Sequence, residues 1–394
     1  MPIFGCCKKT GGWPKCLAFA MIVQLGMKLS KSSPLYSNRW LNISRIHIII
    51  INMKIAVFST RSYDREFLSE AAAANPTFSA SCQFSYYEPH LRPETLHLAK
   101  NHNAVCVFVN DRLDRTTMEA LKAEGVKLVA LRCAGYNNVD VAAANKLGIT
   151  VAHVPAYSPE AVAEHTVALI LTLNRKICHA YRQIREGNFS LEGLVGFNLH
   201  GKTVGLVGTG RIGTAVAKIL GAGFGCKLLG YDPEPNRACL DLGLRYVDLS
   251  KLAAESDIVS LHAPLLPVTA HLINRDTIAQ MKRGVMLINT SRGGLVDTQA
   301  VIDAVKTGQI GYVGLDVYEE EIEIFFENLS FQVIPDDVFS RLLTLPNVLI
   351  TGHQAFLTRE ALEHIAQTTV ENIIEFGAAK DVSQSDQSLK PGQN

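Results

Sequence analysis

The sequence has almost no net charge and no long apolar run. Its 38 basic and 37 acidic residues give a formal charge of +1 over 394 residues. A nearly neutral chain lacks the positive excess that attracts nucleic acid or an anionic membrane surface, so we expect neither as a partner. Apolar residues make up 47% of the chain and charged residues 19%, an ordinary globular composition for two or three domains.

The nine cysteines form no disulfide framework and no metal-binding motif. No His-x-x-x-His or Glu-x-x-His pair occurs among the residues at predicted strand ends, so we expect no metal site. Several cysteines lie in apolar stretches of strand length, where a free thiol behaves as a small apolar side chain. Scattered thiols are typical of a reducing compartment, which predicts a cytoplasmic location. The six cysteines after the first segment are Cys82, Cys106, Cys133, Cys178, Cys226 and Cys239.

Residues 1–52 contain no acidic residue but seven Lys or Arg, so the remainder carries 31 basic against 37 acidic residues. Three interpretations of this segment are open. Residues 16–27 resemble a signal-peptide core, but are short for a membrane span and lack a clear cleavage site. A metal site on the segment's three cysteines lacks paired cysteines and histidines. We favour the third interpretation, a poorly ordered extension upstream of the true start at Met53.

Strand and helix patterns alternate from Met53 onward, which predicts an α/β fold with parallel sheets. A helix is predicted over 64–74, and another begins at a cap formed by Thr116 or Thr117. No phosphate-binding loop occurs before Pro155, so this part is a separate domain. Its predicted strands are Lys54–Ser59, Ala104–Val109, Val126–Leu131 and Ile149–Val154.

A long helix is predicted to begin at Ser158, because Ser158 is a suitable N-cap and Pro159 suits the first helical position. Its richness in alanine and leucine indicates a buried connector over 158–186 between two domains. Pro155 and Pro159 make the junction a natural hinge. A final helix begins at Thr358 and precedes a polar tail, 381–394, that we expect to be disordered.

The most informative stretch is Gly201–Gly213, GKTVGLVGTGRIG. An apolar strand runs directly into Gly208-x-Gly210-x-x-Gly213, and an apolar helical pattern follows. This context predicts a dinucleotide-binding loop, in which the helix N-terminus faces a pyrophosphate. A second strand ends at Asp232, nineteen residues beyond Gly213. A carboxylate there can accept both ribose hydroxyls and repel a 2′-phosphate, which favours NAD over NADP.

These patterns predict two doubly wound parallel-sheet domains. A Rossmann NAD-binding domain over 156–351 is inserted in a discontinuous, flavodoxin-like substrate domain formed by 53–155 and 352–380. The simplest arrangement returns the final helix to the first domain. In doubly wound sheets the ligand lies at the carboxyl ends of the strands.

Arg292, Glu321 and His353 follow apolar strands in the second domain. Histidine is the side chain that exchanges protons near neutral pH, and the planar guanidinium of arginine suits a substrate carboxylate. A carboxylate beside an imidazole favours its protonated form and fixes its tautomer. The three residue types together are what a 2-hydroxy acid dehydrogenase needs.

The segments around these residues resemble the D-isomer-specific 2-hydroxyacid dehydrogenase family, most closely its fermentative D-lactate dehydrogenases. The resemblance extends from Met53 to about Gly377. It rests on the motifs Leu131–Asp140, Val154–His165, Asn289–Asp297, Asp316–Glu321 and Gly352–Phe356.

The resemblance implies site residues as well as an activity. His353 would be the acid/base, Glu321 its partner, and Arg292 the clamp on the substrate carboxylate. The substrate would also contact Ala134, Gly135, Tyr157 and Phe356. The cofactor would be bound by Gly208, Gly210, Arg211, Ile212, Gly213, Asp232, His262, Ala263, Pro264, Thr290, Ser291 and Asp316.

The implied reaction is the reversible, NAD-dependent reduction of pyruvate to D-lactate. Dehydrogenases for phenyllactate, hydroxyisocaproate or glycerate use the same site and remain alternatives. An NADH-sensing binding protein on this fold is a third possibility, since such proteins retain the same three residues. The resemblance also implies a homodimer or homotetramer.

Overall fold

The structure is a computed structural model, and it describes residues 53–378. The three interpretations of residues 1–52 and the predicted disorder of residues 381–394 concern residues outside this range.

Five parallel strands form the first sheet, in the order β2-β1-β3-β4-β5. The central strands β3 and β4 are buried along their whole length, because helices cover both faces of the sheet. Their apolar, β-branched composition suits that position. The strands are β1 (Met53–Val57), β2 (Cys82–Tyr86), β3 (Ala104–Val107), β4 (Leu128–Leu131) and β5 (Thr150–Ala152).

Seven parallel strands form the second sheet, in the order β12-β11-β10-β9-β6-β7-β8. The chain winds outward from β6 first in one direction and then in the other, so the strand order reverses between β6 and β9. A crevice at such a switch point is where open α/β sheets bind ligands. The strands are β6 (Thr203–Val207), β7 (Lys227–Tyr231), β8 (Arg245–Tyr246), β9 (Ile258–Leu261), β10 (Val285–Asn289), β11 (Ile310–Leu315) and β12 (Val348–Ile350).

The α-helices of the described residues connect these strands. None of them combines the length and apolar character that crossing a bilayer requires. They are α1 (Ser62–Ala74), α2 (Pro76–Ser81), α3 (Arg115–Ala123), α4 (Val141–Leu147), α5 (Pro159–Arg175), α6 (Ile177–Arg185), α7 (Arg211–Lys218), α8 (Arg237–Asp241), α9 (Leu249–Glu255), α10 (Arg275–Gln280), α11 (Thr298–Thr307), α12 (Asp337–Leu343) and α13 (Arg359–Ala378).

Helix α1 begins at Ser62, two residues before the predicted start, and two further helix termini differ from the sequence-based expectation. The cap of α3 is Asp114, whose side chain accepts a hydrogen bond from the backbone N–H of Thr117, so neither threonine caps the helix. The connector expected over 158–186 is two helices, because Lys176 adopts a left-handed conformation with φ +51° between α5 and α6. The start of α5 agrees with expectation, since Ser158 accepts from the N–H of Ala161.

The final helix α13 packs on the first sheet, against α1 and β4. Its apolar residues Ile365, Val370 and Ile373 belong to the core of that sheet. Strand β12, which precedes α13, belongs to the second sheet. The chain therefore crosses between the two sheets twice, once after β5 and once after β12.

Candidate active site

The glycine loop joins β6 to α7 at the carboxyl edge of the second sheet. Gly208 has φ +92°, and a Cβ there would lie 2.6 Å from the backbone carbonyl of His262, so only glycine fits. The Cβ of a residue at 213 would meet the Gly208 carbonyl oxygen at 2.2 Å, whereas one at Gly210 would meet no atom within 4 Å. The loop therefore packs closely against the protein at Gly208 and Gly213 and leaves open space at Gly210, as a pyrophosphate site requires.

Helix α7 begins at Arg211, with Gly210 as its N-cap. Arg211 is exposed at the mouth of the loop. Ile212 instead packs against the apolar core beneath the second sheet. Of these two expected cofactor contacts, the structure leaves the Arg211 side chain facing solvent and turns Ile212 toward the protein interior.

Asp232 follows β7, and the chain itself holds its carboxylate. Oδ2 accepts hydrogen bonds from the Thr209 backbone N–H at 2.7 Å and from Thr209 Oγ1 at 3.0 Å. Oδ1 accepts from the N–H of Glu234 at 3.0 Å. Each carboxylate oxygen has two lone pairs, so Oδ2 is fully used and Oδ1 keeps one lone pair for a ribose hydroxyl.

Two other loops approach the glycine loop from β9 and β10. The hydroxyl of Ser291 donates to the Ala263 carbonyl at 2.6 Å, which ties these two loops together, with exposed Pro264 beside them. Thr290 Oγ1 lies 2.9 Å from Thr166 Oγ1 of α5. The side chains of Thr290 and Ser291 thus shape the crevice through contacts within the protein.

His262 carries an unsatisfied polar atom next to the glycine loop. Its Nε2 lies 2.9 Å from Ser260 Oγ, while its buried Nδ1 has no hydrogen-bond partner in the described part of the chain. Burial lowers the pKa of His262 to about 4, so the ring is neutral at pH 7. A neutral imidazole with one free nitrogen can bind a ligand but is a poor proton donor.

Glu321 and His353 form a hydrogen-bonded pair at the ends of neighbouring strands. His353 follows β12, and Glu321 begins a short 3₁₀ turn after β11. The Nδ1 atom of His353 lies 2.7 Å from Glu321 Oε1, and Glu321 Oε2 accepts from the N–H of Tyr318 at 2.9 Å. Because Nδ1 faces the carboxylate, Nε2 is the nitrogen available to a substrate.

The structure separates Glu321 from the two glutamates that precede it. Glu319 contacts His271 and accepts from Thr298 Oγ1 at 3.0 Å, whereas Glu320 is exposed. Only the third member of the run reaches His353.

Asp316, expected to contact the cofactor, lies buried beneath His353. Its carboxylate accepts from Thr351 Oγ1 at 2.6 Å and from the backbone N–H groups of Gln354 and Ala355 at 2.9 Å. Its backbone carbonyl accepts from the His353 N–H at 2.7 Å. These bonds hold His353 in a left-handed conformation, with φ +51°. Asp316 therefore orients the histidine.

Burial alone would raise the pKa of Asp316, but hydrogen bonds from His165 and Thr351 and the nearby His353 hold that pKa below its ordinary value. Asp316 is thus a fixed anion under the histidine turn.

Arg292 meets the backbone of the first domain. A Cβ at Gly135 would lie 2.1 Å from Arg292 Nη2, so the guanidinium rests directly on this glycine. Its Nη1 donates to the Ser291 carbonyl at 2.7 Å. The neighbouring carbonyl of Ala134 accepts from His153 Nδ1 at 3.0 Å, which fixes the peptide segment. Backbone and guanidinium donors thus come together where the two sheets meet.

Aromatic side chains pack together near His353. The rings of Tyr157 and Phe356 lie 6.1 Å apart. Burial raises the pKa of Tyr157 to about 12, although Arg292 opposes the shift, so Tyr157 is neutral at pH 7. Sequence reasoning missed Phe108 and Phe326, whose rings lie 5.2 Å apart. Phe108 directly follows β3, and an aromatic residue at the carboxyl end of a strand was the available signal.

The predicted residues therefore form two neighbouring groups. The glycine loop, the fixed Asp232 carboxylate and the orphaned Nδ1 of His262 fit a dinucleotide. The His353–Glu321 pair, Arg292 and the aromatic wall fit a small anionic substrate. Asp316 and Ile212 pack behind these groups, Asp316 beneath His353 and Ile212 on the core beneath the second sheet.

Comparison with known proteins identifies the family in which this arrangement occurs. The NAD binding domain model of the D-isomer specific 2-hydroxyacid dehydrogenases matches residues 167–355. The D-lactate dehydrogenase of Escherichia coli is 53% identical over 321 residues, which cover 82% of this chain and 96% of that protein. A structure of the pyruvate reductase of Chlamydomonas reinhardtii matches with a TM-score of 0.78 and 46% identity, over 85% of this chain and 99% of that one.

The D-lactate dehydrogenase of Aquifex aeolicus, solved with NAD and lactic acid, has a TM-score of 0.73 at 35% identity and covers 83% of this chain and 97% of its own. The chain belongs to the D-isomer-specific 2-hydroxyacid dehydrogenase family, and its cofactor is NAD.

Proposed function

We propose that the protein is a D-lactate dehydrogenase that reversibly reduces pyruvate to D-lactate. The observation that carries the proposal is the His353–Glu321 pair, which presents one imidazole nitrogen beside a compact aromatic pocket. Relatives named D-lactate dehydrogenase and pyruvate reductase support the substrate.

Each residue has a distinct task in this reaction. When bound, NADH supplies the hydride that adds to the keto carbon. His353 Nε2 donates a proton to the carbonyl oxygen as its double bond to carbon opens, and takes the proton back in the reverse direction. Glu321 stabilises the imidazolium that begins the forward reaction. Arg292 and the Gly135 backbone hold the substrate carboxylate.

We expect the proposed site to favour a small side chain such as methyl. Phe108 packs against both Phe326 and Phe356, with ring centroids 5.2 and 5.8 Å away. An aromatic keto acid that displaced one of these rings would lose packing contacts.

The test follows loss of NADH absorbance with pyruvate, phenylpyruvate, 2-ketoisocaproate, glyoxylate and hydroxypyruvate, and determines product chirality with a stereospecific lactate assay. We expect kcat/KM for pyruvate to exceed that for phenylpyruvate by at least about 10-fold, with D-lactate as product. Preference for a bulkier or shorter keto acid would keep the mechanism and reject the substrate. NADH binding without turnover on any keto acid would favour an NADH sensor.

We also propose a homodimer or homotetramer, with α6 and the loop after it as an interface between subunits. No residue of α6 is buried, and Ile177, Tyr181 and Ile184 recur along one face at helical spacing. Phe189, Leu191 and Val195 extend this apolar surface, each more than three-quarters exposed. Such a patch is typical of an interface. Light scattering should give a dimer or tetramer for the wild type and a monomer for Ile184→Glu.

A cytoplasmic location is the remaining proposal. All six cysteines of the described residues are free, and four of them are buried, as is usual in a reducing compartment. Fractionation of cells that express the full chain with a carboxyl-terminal tag should place it with cytoplasmic markers.

A further inference from the structure

Phe326 and Glu327, in the segment after the 3₁₀ turn at Glu321–Glu323, connect the second domain to the first. Phe326 has φ +68°, a left-handed conformation that a phenylalanine adopts only when its surroundings impose it. The carbonyl oxygen of Phe326 accepts a hydrogen bond from Arg61 of the first domain. The backbone is therefore held from across the cleft.

The Glu327 carboxylate makes the main polar contact of this segment. Its Oε1 lies 2.7 Å from His90 Nε2 and 3.0 Å from Arg61 Nη2. His90 is buried, with 8% of its side chain exposed, whereas Glu327 lies at the rim with 39% exposed. The contact thus joins a buried group of the first domain to a partly exposed group of the second.

Hydrogen bonds also hold His90 from the side opposite Glu327. Ser59 Oγ donates to Asp111 Oδ1 at 2.7 Å and lies 2.6 Å from His90 Nδ1. Both ring nitrogens of His90 therefore have partners, one within the first domain and one in the second.

Asn110 contacts the same ring nitrogen. Its amide nitrogen lies 3.4 Å from His90 Nε2, while its buried amide oxygen lacks a partner among the described residues.

The ring of Phe326 packs beside the imidazole of His353. The two ring centroids are 5.8 Å apart, and Phe326 also packs edge-on against Phe108 at 5.2 Å. Because Phe326 and Glu327 are adjacent, a contact that holds the Glu327 carboxylate also restrains the backbone that carries the Phe326 ring. A ring held there keeps water from one side of the proton donor.

We propose that Glu327 is a positioning residue, and that its contact with His90 holds Phe326 against His353 when the cleft closes on substrate. This rests on the proposed function, because it assigns His353 to proton transfer. Without this contact the segment would open more often, and the substrate would meet the assembled site in a smaller fraction of encounters.

The test compares Glu327→Gln, His90→Gln and the double variant with the wild type. Glu320→Gln is the matched control, because it removes the same charge from an exposed position of the same loop. We expect each single variant to lower kcat/KM for pyruvate about 10-fold, as disruption of a directly coupled pair does, with unchanged NADH affinity. The kcat/KM of the double variant should be no lower than that of the less active single variant.

Hydrogen exchange of residues 322–334 without substrate provides a readout that is independent of turnover. It should quicken in Glu327→Gln and His90→Gln, and stay at the wild-type rate in Glu320→Gln. Additive kinetic losses, unchanged kinetics, or a lowered Tm with wild-type kcat/KM would overturn the proposal. If His90→Gln failed to fold, Glu327→Gln alone would decide the question, because the Glu327 side chain lies at the rim.

A wild type that is inactive on every keto acid would refute the proposed function. Hydrogen exchange would still decide whether the contact between Glu327 and His90 holds the loop.

Discussion

A methyl group at position 135 would collide with the proposed substrate clamp. The Cβ of Gly135→Ala would lie 2.1 Å from Arg292 Nη2 and 3.1 Å from Cζ. Non-bonded atoms of this kind rest about 3.5 Å apart, so the guanidinium would have to move by more than about 1 Å. Gly135 is not among the residues with positive φ, so alanine fits the backbone and the collision falls on the arginine.

This displacement translates into a large kinetic effect. Misplacing a positioning group by about 1 Å costs roughly 100-fold in rate, which corresponds to about 2.7 kcal/mol in the activation free energy. We expect KM for pyruvate to rise and kcat to fall together, since Arg292 would hold both the substrate and the transition state. Tm should change little, because the displaced group is the end of a flexible side chain.

Steady-state kinetics, NADH fluorescence titration and thermal unfolding measure these three quantities. Gly223→Ala is the control, because a Cβ there would meet no atom within 4 Å. In an Arg292→Ala background, Gly135→Ala should cause little further loss. The reasoning fails if Gly135→Ala keeps kcat/KM within about 3-fold of wild type, or if its loss persists in full without the arginine.

Four further outcomes are expected. Arg292→Ala should lower kcat/KM for pyruvate at least about 100-fold, because a charge-assisted contact to the substrate is lost, while NADH titration stays unchanged. Glu321→Gln should lower kcat about 100-fold at neutral pH in steady-state assays, because nothing then stabilises the imidazolium. Asp232→Ala should raise the NADPH/NADH ratio of kcat/KM about 10-fold or more, because the carboxylate no longer repels a 2′-phosphate. The pKa of Asp316 is below its ordinary 3.8, so the stability that its ionised form contributes is present above about pH 4 and is lost as the pH falls further. Thermal unfolding should therefore show that Asp316→Asn loses less stability than the wild type between pH 5 and pH 3.

Elements with strong local signals were predictable from the sequence. Strands β6 and β7 end where expected, because each is an apolar run that stops directly before Gly208 or Asp232. The start of α5 was equally clear from Ser158 and Pro159. The break at Lys176 was not, because a lysine in the left-handed region carries no reliable sequence signal.

The site was predictable only in part, for a related reason. The glycine loop and the run from Glu319 to Glu321 are local motifs, and the resemblance singled out the third glutamate. The pair of His90 and Glu327 spans 237 positions of the chain, and no periodicity or spacing connects residues that far apart.

The two crossings between the sheets limit how the cleft can move. A single linker would let the two domains both rotate and translate relative to each other. Two linkers restrict this motion mainly to one rotation, about the line that joins the linkers. Successive openings and closings would then retrace one path. Gly135 and Arg292 would meet in the same register at each closure, without a search over orientations.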